Sequence, residues 1–181
     1  MWTWFYRLAS PPFVYRVAAR LTPWLLLFAA AMIVYGLIAG LVFAPPDYQQ
    51  GDAFRIIYVH APSAWLSLFA YMTMAVAGGI ALIWRIKMGY AVAAAAALLA
   101  LVGVVNVPII HFSVQWWNSL HQGATVAKFA KPDMPGSMLW PLLAMLCGFM
   151  LFFGAVLCMR LRGEVLNRER LASWVRGAVK A

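Results

Sequence analysis

Four stretches of the chain contain no charged residue, and each is 23 residues long. They cover residues 22–44, 62–84, 88–110 and 137–159. An α-helix rises about 1.5 Å per residue, so each stretch would be about 34 Å long, enough to cross a bilayer. The stretches do not alternate apolar and polar residues as the strands of a membrane barrel do. The pattern predicts an all-α integral membrane protein with about four transmembrane helices, forming a single membrane domain over residues 1–181.

The composition supports the same class of protein. Hydrophobic residues make up 65% of the chain and charged residues 10%, with a mean hydropathy of +0.82. A soluble domain is nearer half apolar and a quarter charged, so a water-soluble globule and a disordered chain are both excluded. Two cysteines, Cys147 and Cys158, lie eleven residues apart in one stretch, about 16 Å along a helix, which is too far for a disulfide. Neither Cys-x-x-Cys nor Cys-x-x-Cys-His occurs, which excludes a thiol oxidoreductase and covalently attached haem.

The basic residues flank the uncharged stretches instead of forming one stripe, so the net charge of +9 does not indicate nucleic-acid binding. Eleven of the 14 cations fall in the two termini and the connection at residues 85–87. Lysine and arginine accumulate on the cytoplasmic side of membrane proteins, so both termini are predicted to be cytoplasmic. Two loops, 45–61 and 111–136, are then on the outer side. The basic and apolar residues after Arg160 predict an amphipathic helix on the inner leaflet.

Several kinds of chemistry have no signature in the chain. All five acidic residues lie outside the four stretches, whereas proton-coupled carriers usually keep an ionisable residue within the membrane. Neither a phosphate-binding glycine loop, nor a nucleophile elbow, nor the His-Glu-x-x-His spacing of a zinc hydrolase occurs. We therefore predict that the protein is not an enzyme.

The outer loops contain all three histidines, His60, His111 and His121, and the pair Trp116 and Trp117. Histidines on two separate segments beside large flat aromatics suit haem, whose iron takes axial imidazoles. Arg55, Lys128 or Lys131 could then meet the haem propionates. Interfacial tryptophans and polar histidine caps explain the same residues without a ligand. A di-haem electron carrier is disfavoured, because none of the four stretches contains a histidine.

The amino-acid sequences of several of these segments closely resemble those of one family. Residues 106–123 (NVPIIHFSVQWWNSLHQG), 43–51 (FAPPDYQQG), 55–60 (RIIYVH) and 10–12 (SPP) are similar to the haem exporter protein C family of cytochrome c maturation. The resemblance extends over residues 1–88 and 101–181. It implies axial haem ligands at His60 and His121, with Trp116 and Trp117 against the haem, and it leaves His111 as an interfacial histidine.

The resemblance also implies a role and partners. Members of the family lie in the bacterial inner membrane as multi-pass proteins and handle haem on its outer face. The implied cofactor is haem b, held transiently and without a covalent bond. The implied partners are the haem chaperone CcmE, the ABC transporter components CcmA and CcmB, and the small protein CcmD.

One departure from the family pattern lies in the middle of the chain. The family has six spans, with a Trp-rich outer loop of the form Trp-Gly-x-x-Trp-x-Trp-Asp between the third and fourth. This chain passes from Met88 through the alanine run 93–97 directly to Asn106. By that comparison it lacks two helices and the Trp-rich loop. Two functions remain open: haem delivery to a periplasmic-side chaperone, or a haem-free structural subunit that docks partner membrane proteins.

Overall fold

The computed structural model describes residues 10–116 and 134–180, and these residues form five α-helices. Four helices are long and apolar enough to cross a membrane, as the sequence predicts. The helices are α1 (Pro11–Ile38), α2 (Ile57–Trp84), α3 (Lys87–Trp116), α4 (Gly136–Arg168) and the short α5 (Ser173–Lys180). A π-helical turn (Ala39–Phe43) extends α1, and a 3-10 turn (Asp52–Ile56) leads into α2.

The helices extend beyond the uncharged stretches. Two prolines follow Ser10, and proline is favoured in the first helical turn because its missing N–H needs no partner there. α1 therefore begins eleven residues before residue 22, and α4 continues nine residues past residue 159. α3 likewise continues to Trp116, so the segment predicted as an outer loop from residue 111 begins as helix.

Helix α1 packs mainly against α4, and α2 packs mainly against α3. The first pair approaches closely at two glycines. Gly36 lies against the Met145 side chain, and a Cβ on Gly148 would come within 2.8 Å of Ile33 Cγ1. Small residues allow membrane helices to approach in this way. The second pair is joined by a tight turn in which Arg85 adopts a left-handed backbone conformation (φ 52°).

The alanine-rich face of α3 packs within the chain. Ala91 and Ala95 contact Val165 of α4, and Ala100 lies with Ala70 of α2 and Phe153 of α4. α3 therefore lies between its two neighbours and contacts protein along this face.

The C-terminal tail forms two different structures. Leu161 and Val165 belong to α4 and are buried, so they do not take part in a separate surface helix. The separate amphipathic helix is α5, in which Val175 is buried. Its Trp174 ring lies 5.8 Å from the ring of Tyr15 on α1, which fixes the tail against the start of the bundle.

Candidate functional site

His60 lies on the first turn of α2 and is half-buried. Two positions before it, Tyr58 is fully buried, with 0% of its surface exposed. Tyr58 packs with Ala44, at the end of α1, and with Leu142 and Met145 of α4. The backbone that carries His60 is thus held by contacts with two other helices.

Gly40 lies directly against the Tyr58 ring. A Cβ at position 40 would be 2.7 Å from ring carbons of Tyr58, closer than side chains normally approach. Only glycine fits this contact without displacing the ring. The Tyr58 hydroxyl is buried and has no hydrogen-bond partner among the residues that the structure describes.

Arg55 connects the end of α1 to the start of α2. Its Nη1 donates to the carbonyl oxygens of Gly40 (3.1 Å) and Leu41 (2.8 Å), and its Nε donates to Asp52 Oδ1 (2.8 Å). The last carbonyls of a helix lack intrahelical partners, and a cation there also complements the helix dipole. The sequence offers Arg55 as a partner for haem propionates, but the structure engages its Nε and Nη1 within the protein.

The loop between α1 and α2 is a compact turn. Asp47 Oδ1 accepts hydrogen bonds from the backbone N–H groups of Gln49 and Gln50, both at 2.9 Å. A pair of backbone hydrogen bonds joins Asp47 and Gly51, which has a positive φ of 56°. The turn presents Tyr48 outward, with 88% of its surface exposed. Exposed aromatic surface therefore lies at the same end of the bundle as His60.

The register of α2 against α3 gives the levels of His60 and Trp116 along the bundle. Ser67 Oγ lies 3.6 Å from a Cβ position on Gly103, so these two residues are at the same level. The helices are antiparallel, so His60, seven residues before Ser67, is level with position 110. α3 continues for six residues beyond that level, about 9 Å, to Trp116.

Chain segments on both sides of residues 117–133 therefore lie at the His60 end. Trp116 ends α3 there, and Met134, just before α4, packs against the cluster that contains Tyr58. The predicted ligands Trp117 and His121 fall outside the described residues, as do the side chains of Trp116 and His111. Of the four predicted site residues, the structure places His60 in full and Trp116 by its backbone.

Within residues 10–116 and 134–180, no group of three or more histidine, cysteine or acidic side chains could hold a metal ion. Axial ligation of haem requires only two imidazoles, because the porphyrin supplies the other iron ligands. His60 could supply one such imidazole, since it is half-buried at the same end of the bundle as the exposed Tyr48.

Sequence reasoning missed the residues that support His60. In the sequence, nothing distinguishes Tyr58 from other aromatic residues near a membrane surface, or Gly40 from other small residues in an apolar helix. The spacing of Arg55 from Gly40 and Leu41, about fifteen residues, matches no local motif. Their contacts join segments distant in sequence, and only the fold brings them together.

The fold and the histidine-bearing end define an α-helical, multi-pass membrane protein. A family model described as Heme exporter protein C matches residues 4–98 and 90–176. The chain is 31% identical to the Heme exporter protein C of Haemophilus influenzae, with 97% of each chain covered. It is 33% identical to that of Escherichia coli K12, covering 97% of this chain and 96% of the relative. The chain belongs to the heme exporter protein C family, as its motifs predict.

The alignments also confirm an internal difference in length. The alignment with the Haemophilus protein extends over 239 residues, whereas this chain has 181, so at least 58 aligned positions (239 less 181) have no counterpart here. Both ends of the chain are covered, so the difference is internal. The two segments matched by the family model overlap at residues 90–98, which lie inside α3. The two matched segments thus meet within α3, which is an uninterrupted helix at residues 90–98.

Proposed function

We propose that this protein binds haem at the His60 end of the bundle and delivers it to a periplasmic-side haem chaperone during maturation of c-type cytochromes. The observation that carries the proposal is the position of His60. Its imidazole is half-buried on a turn that Tyr58, Gly40 and Arg55 hold in place. A ligand to a bound metal needs such preorganisation, because a side chain that is already ordered loses less entropy on binding.

In this proposal His60 and His121 are the two axial ligands of the haem iron. Trp116 ends α3 about 9 Å beyond the level of His60. His121 follows five residues later, and five residues span at most about 18 Å. Chain connectivity therefore keeps His121 within reach of a haem group that His60 holds. Trp116 and Trp117 would cover the flat faces of the porphyrin, and Lys128 and Lys131 are the remaining basic partners for its propionates.

The haem is held as haem b, without a covalent bond, and is released to the next carrier. The relatives are named for heme export, and this name supports a role in haem transport for cytochrome c biogenesis. We place the protein in the bacterial inner membrane, with both termini cytoplasmic and His60 on the outer side. Its proposed partners are CcmE, CcmA, CcmB and CcmD.

A haem-free structural subunit is the second candidate function, and the internal length difference favours it. The relatives carry at least 58 aligned positions that this chain lacks. If those residues supply most of the haem contacts, this chain would retain only its ability to dock membrane partners.

The absorption spectrum of the detergent-purified full chain separates the two candidates. Haem delivery predicts a Soret band, with iron equimolar to protein after haem is added and excess haem removed. A colourless preparation that still copurifies with CcmA and CcmB would contradict haem delivery and support the structural role.

A further inference from the structure

A cavity of about 320 Å³ lies at the opposite end of the bundle from His60, where α1 and α3 begin and α4 ends. Pockets that bind small ligands start at about this size. Its floor is apolar and comes from Met88 and Ala91 of α3 and Val165 of α4. These three residues belong to one buried cluster, so the floor is part of the packed core.

The rim of the cavity is charged and contains both signs. Lys87 and Arg168 supply cations, and Glu169 supplies a carboxylate that is 22% exposed. Lys87 Nζ lies 3.6 Å from Glu169 Oε1, beyond direct hydrogen-bond distance. Arg168 Nε donates to Glu164 Oε1 at 2.6 Å, which fixes the guanidinium at the rim. The Lys87 ammonium can therefore donate to a further polar partner, and the Glu169 carboxylate can accept from one.

The cavity lies at the level where the membrane interior gives way to lipid headgroups. Lys87 directly precedes the uncharged stretch that begins at residue 88. On α4, Val165 lies six residues past the stretch that ends at 159, about 9 Å along the helix. The residues that line the cavity thus lie at or just beyond the edge of the uncharged stretches, which is the level expected for lipid headgroups.

We propose that this cavity binds the headgroup of phosphatidylethanolamine. The lipid phosphate would accept charge-assisted hydrogen bonds from Lys87 and Arg168, and the lipid ammonium would donate to the Glu169 carboxylate. Phosphatidylglycerol has the phosphate but no cation, so Glu169 would repel it. Phosphatidylcholine carries a cation without N–H groups, so it cannot donate to Glu169. Of these three headgroups, only phosphatidylethanolamine therefore matches each sign of the rim with a hydrogen bond.

Native mass spectrometry of the full chain in detergent tests this selection. The protein is mixed with equal amounts of dioleoyl phosphatidylethanolamine, phosphatidylglycerol and phosphatidylcholine. We expect about tenfold greater retention of phosphatidylethanolamine than of either competitor, the factor expected from one additional charge-assisted hydrogen bond. Glu169→Gln should reduce the preference over phosphatidylcholine, because a neutral amide oxygen accepts a weaker hydrogen bond than a carboxylate, and Lys87→Gln should weaken retention of phosphatidylethanolamine.

Arg170→Gln is the matched control. It removes an exposed cation that directly follows Glu169 in the sequence but does not line the cavity. It should leave the preference unchanged. Equal retention of the three lipids, or a preference for phosphatidylglycerol, would overturn the proposal. So would displacement of the lipid by an equimolar amount of soluble phosphoethanolamine, which would identify a free metabolite as the ligand. Circular dichroism establishes that each variant remains helical. The Lys87 side chain is 81% exposed, so its substitution does not disturb the core.

Discussion

The backbone of Gly40 lies so close to the ring of Tyr58 that a Cβ at position 40 would be 2.7 Å from the ring carbons. Gly40 lies in the π-helical turn that extends α1, and Tyr58 lies in the first turn of α2, two residues before His60. The contact therefore sets the distance between the first two spanning helices at the end that carries the predicted ligand. A side chain at position 40 would have to displace the ring, and His60 with it.

Gly40→Ala should lower the free energy of unfolding by about 1–3 kcal/mol, the usual effect of overpacking a close contact. It should also weaken haem retention, because displacement of Tyr58 moves His60. Gly78→Ala is the control, since nothing lies within 4 Å of a Cβ at that position of α2. Thermal unfolding in detergent, followed by circular dichroism, measures the stability of both variants. Equal midpoints for the two variants would show that the contact relaxes without cost.

Arg55→Gln should destabilise the connection between α1 and α2. The substitution removes the donors to the Gly40 and Leu41 carbonyls. The bond to Gly40 is part-buried, and leaving that carbonyl without a partner costs about 1–3 kcal/mol, whereas the bond to Leu41 is exposed and its loss costs less. Asp52→Asn removes only the ion pair, which is exposed on the Asp52 side and contributes at most about 1 kcal/mol. Chemical unfolding of both variants in detergent compares them. A greater effect of Asp52→Asn would show that the ion pair, and not the helix cap, holds the connection.

The sequence predicts the number of spanning helices because an uncharged run of 23 residues leaves few alternatives in water or lipid. It does not predict where the helices end. Arg16 and Arg20 mark the expected edge of the membrane, yet α1 begins before them at Pro11, because proline and backbone hydrogen bonding decide where a helix starts. The supports of His60 were also unpredictable, since Gly40, Arg55 and Tyr58 meet only after α1 and α2 have packed.

The topology proposed from the charge distribution can be tested with reporter fusions. Fusions after Gln50 and after Gln122 should report a periplasmic position, and a fusion at Arg162 a cytoplasmic one. The reason is that eleven of the 14 cations lie in the termini and the connection at 85–87, and cations are retained in the cytoplasm. A cytoplasmic signal after Gln122 would contradict both the topology and an outer haem site.

Substitution of single histidines should separate the two proposed axial ligands from the third histidine. His60→Ala and His121→Ala should each reduce haem retention and cytochrome c maturation much more than His111→Ala. Loss of an axial imidazole leaves the iron with one protein ligand, whereas an interfacial histidine makes no bond to it. The Soret absorbance of each purified variant, together with its yield of mature cytochrome c, provides the measurement. Equal losses from all three variants would argue against a specific axial pair.

The position of the internal length difference leads to a prediction about haem affinity. The two family-model matches overlap at residues 90–98, which include the alanine run 93–97 of α3, and the relatives carry at least 58 aligned positions that this chain lacks. If those residues include two spans and a Trp-rich loop, they add aromatic surface on which haem can be buried. Apolar burial contributes roughly 25 cal/mol per Å², so 100 Å² of such surface adds about 2.5 kcal/mol. Each 1.4 kcal/mol is about tenfold in affinity, so the difference approaches a hundredfold.

Haem titration measures this difference directly. The present chain is compared with a version in which two spans and a Trp-rich outer loop are inserted after Ala94, inside residues 90–98. We expect the longer version to bind haem about a hundredfold more tightly, because its added aromatic surface buries more of the porphyrin. A second insertion, in which leucines replace the loop tryptophans, separates the added helices from the aromatic surface and should recover only part of the gain. Equal affinity of all three proteins would mean that the two axial histidines, with Trp116 and Trp117, are sufficient to hold haem.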